Sequence, residues 1–378
     1  MDATNLSRRD FTRTGALALS STVGPFSRAS RPAAPAGWPE YDRVVVIDAL
    51  ASPGPFNVPN RTAHPLTPTM IANARRSGMT AVNVTVNAGG TGREAFDGTI
   101  GMIAYFQREL TAHPDALQPV RTIVELRRAK ATRRLGLILG FQDTNMLEGD
   151  PDRLELFANL GVRIIQLTYN ARNQVGDGCL EPGNAGLSRF GRQVVERMND
   201  LGILVDLSHC GQQTTADAIR QSGRPVAITH SGCSAVFAHP RSKRDEELQA
   251  MADRGGVIGI YLMPFLNPEG PPHLEHVLQH IEHAVNVCGE DHVGIGSDNS
   301  ITPTVADDTY RRILYAFADE RARLGIGAPR EHEVLFVEEL NDPCRMDILA
   351  DALAARGHST SRIEKILGAN FLRLFHDV

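Results

Sequence analysis

A parallel (β/α)8 barrel is the fold class this sequence predicts, on three observations. From Arg43 onward, short β-branched runs alternate with helical patterns, the mark of βα units around a parallel sheet. There are eight such runs, enough to close a barrel. An open doubly wound sheet would carry a glycine-rich phosphate loop, yet VVVIDALASPGPFN (44–57) has no GxGxxG, and no GxxxxGK[ST] occurs anywhere.

In chain order the strands are expected at RVVVID (43–48), MTAVNVTV (79–86), LGLILGFQ (135–142), VRIIQLTY (162–169), ILVDLSH (203–209), PVAITH (225–230), GVIGIYL (256–262) and HVGIGSD (292–298). Helix signals fill the gaps. Residues 67–77 open with Thr-Pro and keep an apolar stripe at Met70, Ile71 and Ala74; residues 188–201 repeat the scheme with Phe190, Val194, Val195 and Met198. Residues 89–132 hold two helical patterns, and the loop 266–272 leads into a long amphipathic helix ending at Cys288. A helix is expected at 307–324, and residues 335–378 form a closing helical segment. No internal repeat is visible, so the expectation is one barrel domain over 39–378.

Residues 1–38 are expected to be a signal and linker. Ser7-Arg8-Arg9-Asp10-Phe11 is a twin-arginine pattern, followed by a weakly apolar stretch over 14–23 and a Ser/Ala/Pro-rich segment to Gly37. Periplasmic export by the twin-arginine route follows. The apolar stretch is too short to span a bilayer, so no stable membrane insertion is expected. Lys and Arg number 39 against 44 Asp and Glu, a net charge of −5 that argues against a nucleic-acid partner and for a small-molecule substrate. The five cysteines are scattered without a CxxC pair, so they are not a disulfide framework, although Cys210 and Cys233 lie close to site histidines.

A barrel of this kind places its chemistry at the C-terminal ends of the strands. The residues there are polar: Asp48, Gln142 with Asp143, Tyr169, His209, His230 and Asp298. His209 and His230 end consecutive strands and Asp298 ends the eighth, a workable metal or acid/base constellation. The histidines His273, His276, His280 and His283 flank the apolar stripe of one helix and are expected on a solvated or partly packed face. The segment Asn170-Ala171-Arg172-Asn173 is either an anion-binding loop or a hydrogen-bonded turn. Asn83 and Asn87 face the barrel mouth or a neighbouring strand.

ILVDLSHCGQQT (203–214), AITHSGCSAVFAHPRSKRDEEL (227–248), GGVIGIY (255–261) and DHVGIGSD (291–298) resemble, in order, motifs of the membrane (renal) dipeptidase family. That family is a zinc-dependent (β/α)8 group related to the amidohydrolases, cleaving dipeptides and some N-acyl amino acids. The resemblance covers roughly residues 40–378. It implies that His209 and His230 hold one zinc, that Asp298 acts as base, and that Arg241 pairs with the substrate's carboxylate. Asn173 and Tyr261 are the other expected substrate contacts.

The first half departs from the family pattern. Where the family has Asp-x-His-x-Asp, Asp48-Ala49-Leu50-Ala51-Ser52 puts Leu50 and Ser52 at the ligand positions; Gln142 replaces a metal-bridging glutamate and Tyr169 a histidine that polarises the scissile carbonyl. An amide cannot bridge two cations as a carboxylate does, and Leu50 offers no lone pair. At most one zinc-like ion is therefore expected, on His209 and His230 with Gln142 as a weak third ligand. Three functions stay open: a dipeptidase-like hydrolase of an amide in a small anionic substrate, a dipeptide or N-acyl amino acid; a metal-independent lyase or epimerase on a small carboxylate using Tyr169, His209, His230 and Asp298; and a non-catalytic periplasmic binder. A homodimer is the assembly compatible with each.

Overall fold

Eight short parallel strands close into a barrel in the computed structural model, which describes residues 37–378 apart from Asn57 and Pro59. The twin-arginine pattern and the apolar stretch after it lie outside the described residues. The barrel strands are β1 (Ile47–Asp48), β2 (Ala81–Thr85), β3 (Leu135–Phe141), β4 (Val162–Gln166), β5 (Leu204–Asp206), β6 (Ala227–Ser231), β7 (Val257–Ile260) and β8 (Val293–Ile295). Each pairs in parallel with its neighbours, and β8 returns to β1 through Asp48 opposite Ile295.

Alternation along the strands divides the apolar side chains between two layers. Ile47, Ala81, Ile138, Ile164, Leu204 and Val257 pack together with Phe371 and Leu374 of the last helix, Asn370–Asp377. Val82, Leu137, Ile165, Val205, Ile228 and Ile258 belong to the larger cluster under the surrounding helices. The last helix is thus the floor of the barrel. Close approach explains two glycines there: a Cβ on Gly294 would lie 2.5 Å from the Phe371 ring, and one on Gly368 would lie 2.5 Å from the Val45 carbonyl oxygen.

Most strands stop earlier at the mouth than their apolar runs predict, although β1 ends at Asp48 as expected and β6 runs one residue further, to Ser231. Expected strand ends at Tyr169, His209 and Asp298 become Gln166, Asp206 and Ile295. There the barrel opens and side chains replace the backbone ladder. Asp206 Oδ1 accepts the N–H groups of Ser208 (3.1 Å) and Thr229 (2.9 Å), and Asp48 Oδ1 accepts that of Ser297 (2.7 Å). The Asn83 amide donates to the Ala49 carbonyl (2.9 Å), and that of Gln166 to the Gln142 carbonyl (2.5 Å). Asn83 therefore serves the neighbouring strand.

Residues 89–132 contain the two expected helices, Gly92–Ala112 and Ile123–Thr132. Between them a three-residue strand, Leu117–Pro119, pairs with β3, an element the pattern does not announce. A second short pair, Ala51–Ser52 with Asn299–Ser300, joins the chain after β1 to that after β8. Trp38, placed in the linker by the sequence, is buried, and its N–H donates to Asp347 (2.9 Å). Its indole joins the outer core, so packing begins one residue before the expected boundary. All five cysteines are free. Among the described residues no helix is long and apolar enough to cross a membrane.

The histidine-rich helix, Leu274–Cys288, differs from expectation at one position. His280 is fully buried: its Nδ1 accepts from the Cys233 N–H (2.9 Å) and its Nε2 contacts the Leu266 carbonyl (3.0 Å). It is a structural tie. His273 and His283 pair with Glu339 and Asp245.

Candidate active site

His209 follows β5 and His230 lies in β6, and their Nε2 atoms face each other 3.0 Å apart. Hydrogen bonds on the far side of each ring decide what lies in that gap. Asn170 uses its amide nitrogen on the Ile326 carbonyl (2.9 Å), so its Oδ1 faces His209 Nδ1 at 2.6 Å. An amide oxygen only accepts; His209 therefore carries its proton on Nδ1, and Nε2 is bare. On the other ring, His230 Nδ1 lies 2.8 Å from Thr229 Oγ1, whose own hydroxyl donates to Asp206 Oδ2 (2.6 Å). With that proton committed, His230 Nδ1 is the donor and its Nε2 is also bare. Two lone pairs at 3.0 Å repel unless a cation or a proton lies between them.

Burial holds both imidazoles well below the ordinary histidine value, and the Arg241 guanidinium adds to the effect. The pair is neutral at physiological pH, the state that ligates a metal.

Asp298 has a left-handed backbone, φ 56°, costly for a residue with a side chain and common at functional sites. Its N–H donates to the Leu50 carbonyl (2.8 Å), and its carboxylate makes no hydrogen bond or ion pair among the described residues. Burial raises this carboxyl to about 7 against the pull of Arg241. Asp143 is likewise raised to about 7 by burial, though its Oδ1 is tied to the Asn145 N–H (3.0 Å).

Arg241 is 2% exposed. Its Nη1 donates to the Ser208 carbonyl (2.7 Å) and its guanidinium lies 6.0 Å from the centre of the Tyr261 ring. It makes no ion pair among the described residues, so a buried positive charge awaits an anion. Tyr261 supports that guanidinium from below, while its own hydroxyl points to the Phe265 carbonyl (3.3 Å).

Tyr169 stacks on His209 at 4.1 Å and 22°, and the Arg321 guanidinium lies 5.1 Å from its ring. Gln142 donates its amide to Thr85 Oγ1 (2.9 Å), which leaves Oε1 as its free acceptor. Asn173 is a turn residue. Its amide nitrogen donates to Thr144 Oγ1 (3.0 Å) and the Leu167 carbonyl (2.9 Å), and its Oδ1 accepts from Val175 (2.8 Å) and Gly176 (3.2 Å). Every polar position of that side chain is filled, so of the two readings of this segment the hydrogen-bonded turn is the one adopted, and the substrate contact expected of Asn173 has no free atom to make it.

A divalent cation fits the histidine pair: two bare imidazole nitrogens converge, and the free Gln142 oxygen belongs to the same strand ends. A second cation does not fit. Leu50 has no donor atom, and the Ser52 hydroxyl already accepts from the guanidinium of Arg61, a fixed positive charge beside the place a metal would need. Asp48 is also engaged, by Arg345 Nη2 at 3.1 Å. Among the described residues no group of three or more His, Cys, Asp or Glu side chains converges on one point.

The sequence reading missed Asn170 as a partner of His209, Asp206 as the acceptor behind His230, and Arg321 and Glu331 over the mouth. Arg321, in the helix expected at 307–324, forms a two-point pair with Glu331 of the loop beyond it (2.7 and 2.9 Å). Its one signal was an arginine in line with alanine and leucine positions, too weak to single out.

The fold and the site define the class: a (β/α)8-barrel protein with a neutral histidine pair, an isolated carboxylate and an unpaired arginine at the strand C-termini. The chain belongs to the membrane dipeptidase family (peptidase family M19), whose profile matches residues 58–318. It is similar to the dipeptidase verJ of Clonostachys rogersoniana, 28% identical over 287 residues that cover 75% of this chain and 66% of that one. The dipeptidase tcpJ of Claviceps purpurea is 28% identical over 284 residues, covering 74% and 60%. The chain thus spans about two thirds or less of the length of these curated relatives. Among solved structures, an amidohydrolase from Pseudomonas aeruginosa superposes with a TM-score of 0.75 at 30% identity, covering 89% of this chain and 97% of that one.

Proposed function

We propose that the protein is a dipeptidase-like hydrolase acting on an amide bond of a dipeptide or N-acyl amino acid, with one divalent ion on His209 and His230. The observation that carries this reading is the pair of bare Nε2 atoms 3.0 Å apart, each made bare by a fixed acceptor behind its ring. A divalent ion there would supply Lewis-acid polarisation and a more acidic water.

The chain's own groups do the rest. Arg241, buried without an anion, holds the substrate's carboxylate. Asp298, its carboxyl raised to about 7 and without a hydrogen bond among the described residues, takes the proton of the attacking water. Tyr169, beside His209, is the hydroxyl available to the scissile carbonyl in place of a histidine. Gln142, whose Oε1 is left free by the bond of its amide to Thr85, would be the ion's third protein ligand. Exported by the twin-arginine route, the protein would work in the periplasm.

Metal analysis of purified protein, joined to a dipeptide hydrolysis assay, tests this. The expected result is one ion per chain, lost in His209→Ala together with activity. Gln142→Glu should tighten the ion, because a carboxylate adds full negative charge to a site of neutral ligands. Two tightly held ions per chain would contradict the proposal. Turnover that survives chelation but is lost in Asp298→Asn would instead support metal-free proton transfer, a reading favoured by the value of about 7 for Asp298.

A further inference from the structure

The histidine pair is closed off from solvent: His209 is 3% exposed and His230 not at all. Tyr169 stacks on His209, and against Tyr169 and Asn170 lies a cover formed by the end of the helix Asp308–Arg323 and the loop that follows to Glu331. Four ties hold this cover down. Arg321 lies over Tyr169; the Pro329 carbonyl meets His239 Nε2 (3.0 Å); Arg330 donates to the Pro264 (2.7 Å) and Pro268 (2.6 Å) carbonyls; and the Ile326 carbonyl accepts from Asn170.

The last tie differs from the others, because Asn170 is also the partner of His209. The Ile326 carbonyl accepts from Arg321 Nη2 (3.1 Å) and from Asn170 Nδ2 (2.9 Å). A carbonyl oxygen cannot donate, so it fixes which end of the Asn170 amide faces it. The other end, Oδ1, is thereby turned to His209 Nδ1. Take the cover away and the Asn170 amide loses the one partner that can only accept; the Cys179 thiol, 3.5 Å from Oδ1, can donate or accept and so fixes neither end. It can then turn its NH2 to His209, which moves the imidazole proton from Nδ1 to Nε2 and fills the lone pair that faces His230.

We propose that the 308–331 cover sets the tautomer of His209 through Asn170, so that the pair presents two bare nitrogens only while the cover is down. Asn170 is a positioning residue, and Arg321, which holds the Ile326 carbonyl in place, is its partner on the cover. This rests on the proposed role of the histidine pair as the cation site. It adds that ion capture and closure are coupled: an ion bound to the pair favours the closed cover, and a closed cover tightens the ion.

Nitrogen-15 NMR of the metal-free full chain, with imidazole signals assigned by His209→Gln and His230→Gln, reads the tautomer directly. Zn2+ titration by calorimetry reads the affinity. In the unaltered protein His209 should show a protonated Nδ1 and a bare Nε2. Asn170→Leu and, separately, Arg321→Gln should each mix the tautomers and weaken Zn2+ binding by about 10–100-fold. Their effects should fall short of additive in the double variant, since both act through one contact. Asn170→Asp should restore the Nδ1 proton, because a carboxylate can only accept. Thermal unfolding checks that each variant is folded, and Arg321→Gln keeps the test open should Asn170→Leu fail to fold. An unchanged tautomer and an unchanged Zn2+ affinity in Arg321→Gln would overturn the coupling. Should the unaltered protein take up no Zn2+, the cation-site reading fails, while the nitrogen-15 pattern across the variants still decides whether the cover sets the tautomer.

Discussion

Asp298, like Asp143, is a carboxyl whose proton affinity rises on folding, and it is the one of the two placed to act on a substrate. Its carboxyl ionises near the ordinary 3.8 when unfolded and near 7 when folded, so the folded state holds the proton more tightly. The stability this contributes is complete below about pH 4 and is lost as pH rises through about 7. Asp298→Asn should therefore stabilise the protein at pH 8 by on the order of 2 kcal/mol, below the full ~1.4 kcal/mol per unit because water still reaches part of the residue. Denaturant unfolding at pH 5 and pH 8 measures it; an equal effect at both would show that the carboxyl is not raised. The same residue should give the acid limb of hydrolysis, with activity climbing through about pH 7 as the base ionises. The positions of His209, His230 and Asp298 at the barrel mouth were legible because each ends an apolar run, whereas Arg241 was named only through the resemblance of its motif to the family's. Asn170 and Asp206 were not legible, because an acceptor behind a ring leaves no periodicity in sequence. Asn173 was expected to touch substrate, in a segment that read equally as an anion-binding loop or a turn; its four hydrogen bonds make it a turn residue.

Elements were legible where the apolar period was long. Seven of the eight barrel strands lie within runs read from the sequence and the sixth passes its run by one residue, to Ser231; several mouth ends were overextended, because alternation continues past the point where side chains such as Asp206 take over from the ladder. Leu117–Pro119 was invisible for the opposite reason: three residues closed by a proline carry no period at all. The floor helix was read only as a closing segment. Its Phe371 is fully buried among strand residues, so Phe371→Ala should cost about 3–5 kcal/mol of stability, as large aromatic truncations in cores do. Urea unfolding would show it as a lower midpoint at an unchanged slope. A loss under ~1 kcal/mol would mean that the helix does not plug the barrel.

For the whole molecule, the expected export route carries its own test. Arg8→Lys with Arg9→Lys should leave full-length precursor in the cytoplasm, read by fractionation and immunoblot, and normal export of that variant would remove the periplasmic assignment. Closure of the barrel also fixes when in its life the chain can fold. β1 finds its second neighbour only in β8, some 245 residues later, and the floor under both comes from residues 370–377. A ribosome making this protein therefore extrudes seven strands before the eighth can seal the first, leaving the edge of β1 unpaired on that side throughout. Slowing translation cannot close such a barrel piecemeal while its eighth strand is unmade, and a factor that shields one exposed strand edge until then would help it fold.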